Sequence, residues 1–202
     1  MRLGIIGGIG AGKSTVVTLI TEQVPCQVIG ADEIGHRILL KGERAYEAVI
    51  DAFGTGILDE AGHIVRRELG KIVFSSQEAL KQLNAITHPI IFDEVQKMIQ
   101  KYEQEGVPCI IIDAALLIEI GLVQLTDYVI GVDTSEDVRI KRIMKREGFS
   151  KEEAVARINK QKKWEELKKV IDYTIDNNGN YEETTGQIKA LLHTLNALEH
   201  TN

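Results

Sequence analysis

Between a short apolar run at Arg2–Ile6 and an amphipathic segment at Lys13–Gln23, the chain reads Gly7-Gly8-Ile9-Gly10-Ala11-Gly12-Lys13-Ser14-Thr15. Gly7, Gly12, Lys13 and Ser14 stand at the spacing G-x-x-x-x-G-K-[ST] of a P-loop. A strand that ends in such a run and restarts as a helix can turn successive backbone N–H groups toward one point, and glycines permit the tight turn. The helix N-terminus adds partial positive charge at the same place. Gly8, Ile9, Gly10, Ala11, Gly12, Lys13, Ser14 and Thr15 therefore read as the ATP-binding cradle. Lys13 is set to bridge the β- and γ-phosphates and Ser14 to hold Mg²⁺. A chance glycine-rich turn would match the spacing without needing a strand before it and a helix after it.

The rest of the chain alternates β-rich runs with helical segments, the pattern of a doubly wound parallel sheet. After Arg2–Ile6 the expected strands are Cys26–Gly30, Pro108–Ile112, Tyr128–Val132 and Tyr173–Ile175. None alternates apolar with polar residues, so helices should cover both sheet faces. Two stretches interrupt this rhythm. Residues 34–105 read as a helical substrate-binding insertion, bent at His88-Pro89 because proline disfavours helix in the residue before it. Residues 135–170 read as a charged helical lid with a turn at Gly148-Phe149-Ser150. The core is then 1–33, 106–134 and 171–202, ending from about His193 in a helix end and a frayed tail. The expected fold is a P-loop NTPase domain: a five-stranded parallel sheet flanked by helices, with an insertion and a lid.

With 24 Lys and Arg against 30 Asp and Glu, the formal net charge is -6. Such a chain has no general attraction to nucleic acid or to anionic membranes. Its partners should be small molecules captured by local clusters of Lys and Arg, and it should be a monomer or a weak homo-oligomer. Cys26 and Cys109 sit in apolar runs without a metal-ligand or disulfide spacing, as in proteins of a reducing cytosol. No apolar stretch reaches the ~20 residues of a membrane span. A strand starting almost at Met1 leaves no room for a signal peptide. The expected location is the cytoplasm.

Ligands of doubly wound sheets bind at the carboxyl ends of the strands. Asp32, Asp113 and Asp133 all fall there, and each either serves the ligand or caps the helical segment that follows it. Asp133, before Thr134-Ser135-Glu136, reads as a cap. Asp113, after Ile110-Ile111-Ile112, reads as a metal-linked carboxylate at the end of a Walker B strand. Asp32 is a candidate general base for an acceptor hydroxyl. Arg139, Arg142 and Arg146 recur at i, i+3 and i+7, hence on one helical face. That face is either a solvated surface laced with Glu136, Glu147, Glu152 and Glu153 or a positive face that closes over phosphates.

Further pieces run in order along the chain: Ala31-Asp32-Glu33-Ile34 with His36-Arg37; Phe53-Gly54; Arg66 and Leu69 before Ile72-Val73-Phe74; and Leu83-Asn84 with Thr87-His88-Pro89. They continue with Leu116-Leu117 and Glu119; Arg142 and Arg146; Arg157 with Gln161; and Ile175-Asp176-Asn177-Asn178-Gly179. In this order, together with the P-loop, the chain resembles the dephospho-CoA kinases from Leu3 to about Gly179. The resemblance implies ATP-dependent phosphorylation of the ribose 3′-hydroxyl of dephospho-CoA, giving CoA and ADP. It implies catalytic roles for Lys13, Asp32, Arg142 and Arg146, with Asp32 as base. It puts Arg142 and Asn177 beside ATP, and His36, Arg66, His88, Leu117 and Arg157 with Asp32 on the acceptor side. Mg²⁺ would be held by Ser14 and Asp113.

The chain departs from that family's usual pattern at Gly30, where an Asp is common, at Ala115 and Ile118 in place of Pro and Phe, and at Ile171 in place of Ala. Competing readings are a kinase for a nucleoside or nucleotide, a GTPase switch and a non-catalytic nucleotide sensor. Asn159-Lys160-Gln161-Lys162 lacks the acid of a guanine motif, and an acceptor base with an arginine lid exceeds what sensing needs.

Overall fold

Arg2–Ile6 (β1), Cys26–Gly30 (β2), Cys109–Asp113 (β3), Tyr128–Asp133 (β4) and Tyr173–Asp176 (β5) form one sheet in the order β2-β3-β1-β4-β5. All four pairings are parallel. The computed structural model describes residues 1–199, with side chains described through Leu195. Nine α-helices are described: Lys13–Gln23 (α1), Ala31–Arg37 (α2), Tyr46–Phe53 (α3), Arg66–Ser75 (α4), Gln77–Gln104 (α5), Glu136–Glu147 (α6), Lys151–Asn159 (α7), Trp164–Leu167 (α8) and Tyr181–Glu199 (α9). The last helix runs well past His193, where an end was expected, and residues 200–202 lie outside the described residues.

Side-chain alternation along the strands splits the core in two. Ile110, Ile112 and Val129 face a cluster with Ile34, Val49, Leu69, Val95 and Ile99 from α2–α5. Leu3, Ile5, Ile111 and Ile130 face the other way, against Val16 and Ile20 of α1 and Ile188 and Leu192 of α9. Full coverage holds for the three inner strands only. On the edge strand β2, Val28 keeps 38% of its surface exposed, and β5 also alternates with exposed positions. An edge strand lacks one neighbour, and the helices do not reach around it.

α5 continues without interruption through His88-Pro89 for 28 residues, where a bend was expected. Proline in a helix interior costs about 3 kcal/mol. The buried stripe Thr87, Ile91, Val95 and Ile99 lies every four residues on one face. Each fully buried aliphatic side chain contributes about 1.5–3 kcal/mol, so packing outweighs the proline penalty. The turn after α6 forms as expected. Gly148 ends the helix at φ 72°, and Ser150 with Glu153 makes a reciprocal capping box at the start of α7. α6 and α7 share a small apolar cluster of Ile140, Ile143, Ala154 and Ile158, against which Ile9 of the glycine loop packs.

Candidate functional site

The glycine loop leaves β1 in the middle of the sheet and enters α1 with Gly10 at φ 78° and Gly12 at φ 91°. Both values lie in the left-handed region, which suits glycine. At Gly8 the backbone lies directly against the Arg139 guanidinium, which would have to move to admit a Cβ. Lys13 Nζ donates to the Gly7 carbonyl at 3.1 Å, which folds the lysine back along the loop.

Two cavities meet at the loop. One, of about 360 Å³, is lined by Lys13, Ser14, Asp32, Asp113 and Arg146 beside the loop backbone. The other, of about 350 Å³, lies on the α1 side among Gly12, Thr15, Arg142, Asn177 and Tyr181. A third, of about 200 Å³, adjoins the first between Leu116, Glu119, Lys162 and Leu167. Lys162 closes one wall of it through an ion pair with Glu119 at 3.0 Å.

Of the charges in the first cavity, Lys13 and Asp113 are partly buried and Asp32 and Arg146 exposed. Burial pushes the Lys13 ammonium below its ordinary pKa, opposed by Asp113 and Asp32 and reinforced by Arg146 and Arg139. Burial pushes the Asp113 carboxyl up, opposed by Lys13 and reinforced by Asp32 and Glu33. Two carboxylates, Asp32 and Asp113, thus face the Lys13 ammonium and the Arg146 guanidinium across one cavity. No group of three His, Cys, Asp or Glu among the described residues could cage a metal. One or two oxygen ligands that rely on phosphates for the rest suit Mg²⁺.

Asp32 lies within the first turn of α2, whose N-cap is Gly30 without a side-chain cap bond. It therefore does not cap that helix; its Oδ1 accepts from the Ala115 N–H at 3.3 Å. Asp133 does not cap either, contrary to expectation. It ends β4, and Ser135 occupies the N-cap of α6. The strand runs one residue longer than its apolar pattern, and Asp133 lends its carbonyl to the Asn177 N–H at 2.9 Å.

The arginine face of α6 is turned onto the loop, but its members differ. Arg139 donates from Nε to the Ile9 carbonyl at 2.9 Å. Arg142 donates to the Ala11 carbonyl at 3.2 Å and to the Asn177 carbonyl at 2.9 Å. Arg146 lines both nucleotide-side cavities and pairs with the neighbouring Glu147 at 2.7 Å. The Ala11 carbonyl also accepts from Thr134 Oγ1 at 2.9 Å and Asn177 Nδ2 at 2.8 Å. Asn177 lines the α1-side cavity, and its carboxamide is turned onto Ala11 and Thr184.

The residues expected on the acceptor side divide. His36 and Arg66 meet at 2.6 Å on the exposed faces of α2 and α4. His88 is half-buried, its pKa lowered by that burial and raised in part by the Glu119 backbone. Arg157 stacks over the Phe149 ring at 4.2 Å and lines none of these three cavities. Leu117 is a correction: it is fully buried in the core, with its side chain filling the space a Cβ on Gly4 would need. Its neighbour Leu116 is 42% exposed and lines the third cavity. In an apolar pair the sequence does not say which member points inward. Reading the sequence alone passed over Thr134 as a loop support; it placed Arg139 on the α6 arginine face and Gln161 beside Arg157 without giving either a specific contact in the site.

Comparison with known proteins places these features in a family. The model of the dephospho-CoA kinase family matches residues 1–183. A dephospho-CoA kinase of Carboxydothermus hydrogenoformans is 44% identical over 190 residues, covering 94% of this chain and 92% of the relative. One of Geobacillus kaustophilus is 42% identical over 202 residues, covering 98% of each. The solved structure of a dephospho-CoA kinase from Campylobacter jejuni superposes with a TM-score of 0.70 at 29% identity, over 96% of both chains.

Proposed function

This chain belongs to the dephospho-CoA kinase family, and from that premise we propose how its residues carry the reaction. The enzyme transfers the γ-phosphate of ATP to the ribose 3′-hydroxyl of dephospho-CoA, releasing ADP and CoA, the last step of CoA biosynthesis. One observation supports the assignment of roles above all: Lys13, Asp32, Asp113 and Arg146 line a single cavity at the mouth of the glycine loop.

In this reading the loop amides from Gly8 to Thr15 hold the triphosphate, and the adenosine lies in the cavity beside Arg142, Asn177 and Tyr181. Asp32, exposed and tethered to Ala115, faces the acceptor. As the ribose oxygen forms its bond to the γ-phosphorus, the bond to the ADP oxygen breaks and the hydroxyl proton passes to Asp32. Lys13 and Arg146 stabilise the charge spread over the transferred phosphoryl oxygens. Ser14 and Asp113 would hold Mg²⁺, which would neutralise phosphate charge. Residues 34–105 and the cavity at Leu116 receive the CoA portion, and residues 135–170 act as the lid. His36, Arg66 and His88 border the insertion's share of that site. The partners are small molecules, and the enzyme works in the cytoplasm; among the described residues no helix is long and apolar enough to cross a membrane.

The test is a coupled ADP-release assay with dephospho-CoA beside a panel of nucleosides and nucleoside monophosphates. Turnover with dephospho-CoA far above the panel is expected. Preference for a nucleoside would replace this reading with that of another small-molecule kinase.

A further inference from the structure

Gln161 follows the end of α7, and its side-chain Oε1 accepts from the Ile9 N–H at 2.7 Å and from an Arg139 N–H at 3.2 Å. Both partners are donors, so the orientation of the carboxamide is settled by chemistry: the oxygen must face them. Nε2 is left on the opposite fork with no hydrogen bond among the described residues. The residue also sits at a seam. The cavity beside Lys13, Asp32 and Asp113 and the adjoining cavity beside Leu116 and Glu119 share only Gly8, Ala115 and Gln161. Of those three, Gln161 alone carries a polar side chain.

We propose that Gln161 is a catalytic residue whose Nε2 donates a hydrogen bond to the phosphoryl group as it crosses from ATP to the acceptor. The proposal rests on the kinase reading above. A phosphoryl in transit must pass the seam between the phosphate cavity and the acceptor cavity. Its equatorial oxygens carry charge that fixed donors stabilise. Two of the three arginines on the α6 face spend donors on loop carbonyls. A neutral amide held by the loop itself supplies a donor there without adding a charge that would grip the product. Gln161 transfers no proton; the bonds made and broken remain those of the phosphoryl transfer.

Gln161→Glu separates this role from simple bracing of the loop. It keeps an acceptor for Ile9 and Arg139, so bracing survives, but it replaces the donor with an anionic oxygen. Loss of one such donor costs on the order of 10²–10³-fold in kcat. The expected result is a kcat loss of that size with unchanged thermal unfolding and a small change in the KM for ATP. Gln161→Met, of the same length and without donor or acceptor, should lose kcat as well. Wild-type turnover in Gln161→Glu overturns the proposal, and so does a loss of kcat that only follows a lowered Tm in both variants. The wild-type enzyme run alongside keeps the two readings apart: if it fails on dephospho-CoA, the proposed function falls; if it turns over and Gln161→Glu matches it, only the role of Gln161 falls.

Discussion

Asn177 donates from Nδ2 to the main-chain carbonyl of Ala11 at 2.8 Å, joining residues 166 positions apart in sequence. The same carboxamide accepts from Thr184 Oγ1 at 3.1 Å, and the residue is 5% exposed. Asn177 thus braces the glycine loop from the end of β5. Asn177→Ala strips a buried carbonyl and a buried hydroxyl of one partner each, at about 1–3 kcal/mol. For a chain of this size that corresponds to a Tm drop of roughly 2–10 °C. Calorimetry should show it together with weaker ATP binding. A residue that only read the adenine would change the ATP-to-GTP preference and leave the Tm alone.

The arginines of α6 should separate in the same pair of measurements. Arg142 is half-buried and bonded to the carbonyls of Ala11 and Asn177, so Arg142→Ala should lower the Tm and raise the KM for ATP. Arg146 is exposed on a cavity wall, so Arg146→Ala should leave the Tm within about 1 °C, as surface substitutions do. Its cost should fall on kcat, by about 10-fold or more. Equal behaviour of the two variants would contradict the difference in their contacts.

Asp113 ties stability to pH with a definite sign. Its folded pKa lies above the ordinary 3.8, chiefly through burial. The folded state therefore binds the proton more tightly than the unfolded chain does. The resulting stability is present below the unfolded pKa and is lost as pH rises through the folded one. At neutral pH the ionised carboxylate is a burden on the fold. Asp113→Asn should raise the Tm at pH 7 by a few degrees, and the gain should vanish near pH 3. Activity in Mg²⁺ should collapse. A variant less stable than wild type at pH 7 would contradict this account.

Much of this was legible in the sequence because it is written in local patterns. The glycine run marks the loop, the unbroken apolar runs mark β1, β3 and β4, and Gly148 with Ser150 marks the turn between α6 and α7. What was not legible depends on which way a side chain points once the chain is packed. Asp133 reads as a cap from its neighbours, but β4 absorbs it through pairing with β5. Pro89 reads as a break, but the stripe through Thr87 and Ile91 holds the helix on the core. Asn177 and Gln161 reach the loop from 166 and 152 residues away, and no periodicity reports such a contact.

Leu116 and Leu117 allow the same point to be measured. Leu117→Ala would open a cavity beneath Gly4, and large-to-small changes at fully buried leucines cost about 2–5 kcal/mol. Chemical denaturation should show a loss of that size. Leu116→Ala should change stability by less than about 0.5 kcal/mol and raise the KM for dephospho-CoA instead. If Leu116→Ala leaves that KM unchanged, the cavity beside Glu119 is not part of the acceptor site.

Asp32 carries the most specific claim about chemistry. It lies in the first turn of α2 without capping it, so its carboxylate is not required by that helix. Its one side-chain hydrogen bond among the described residues, accepted from the Ala115 N–H at 3.3 Å, can be kept by the carbonyl oxygen of an asparagine. Asp32→Asn therefore preserves shape and tether while removing the ability to accept a proton. A general base contributes typically ~10²–10⁴-fold, and kcat should fall on that scale. The Tm should stay close to wild type and ATP affinity should change little. The loss should also depend on the acceptor, because a weaker base matters less as the hydroxyl becomes more acidic. Slow hydrolysis of ATP by water in the absence of dephospho-CoA should consequently fall by a different factor from the transfer reaction. Wild-type turnover of dephospho-CoA by Asp32→Asn would remove Asp32 as the base and turn attention to Asp113, the other carboxylate that lines the cavity.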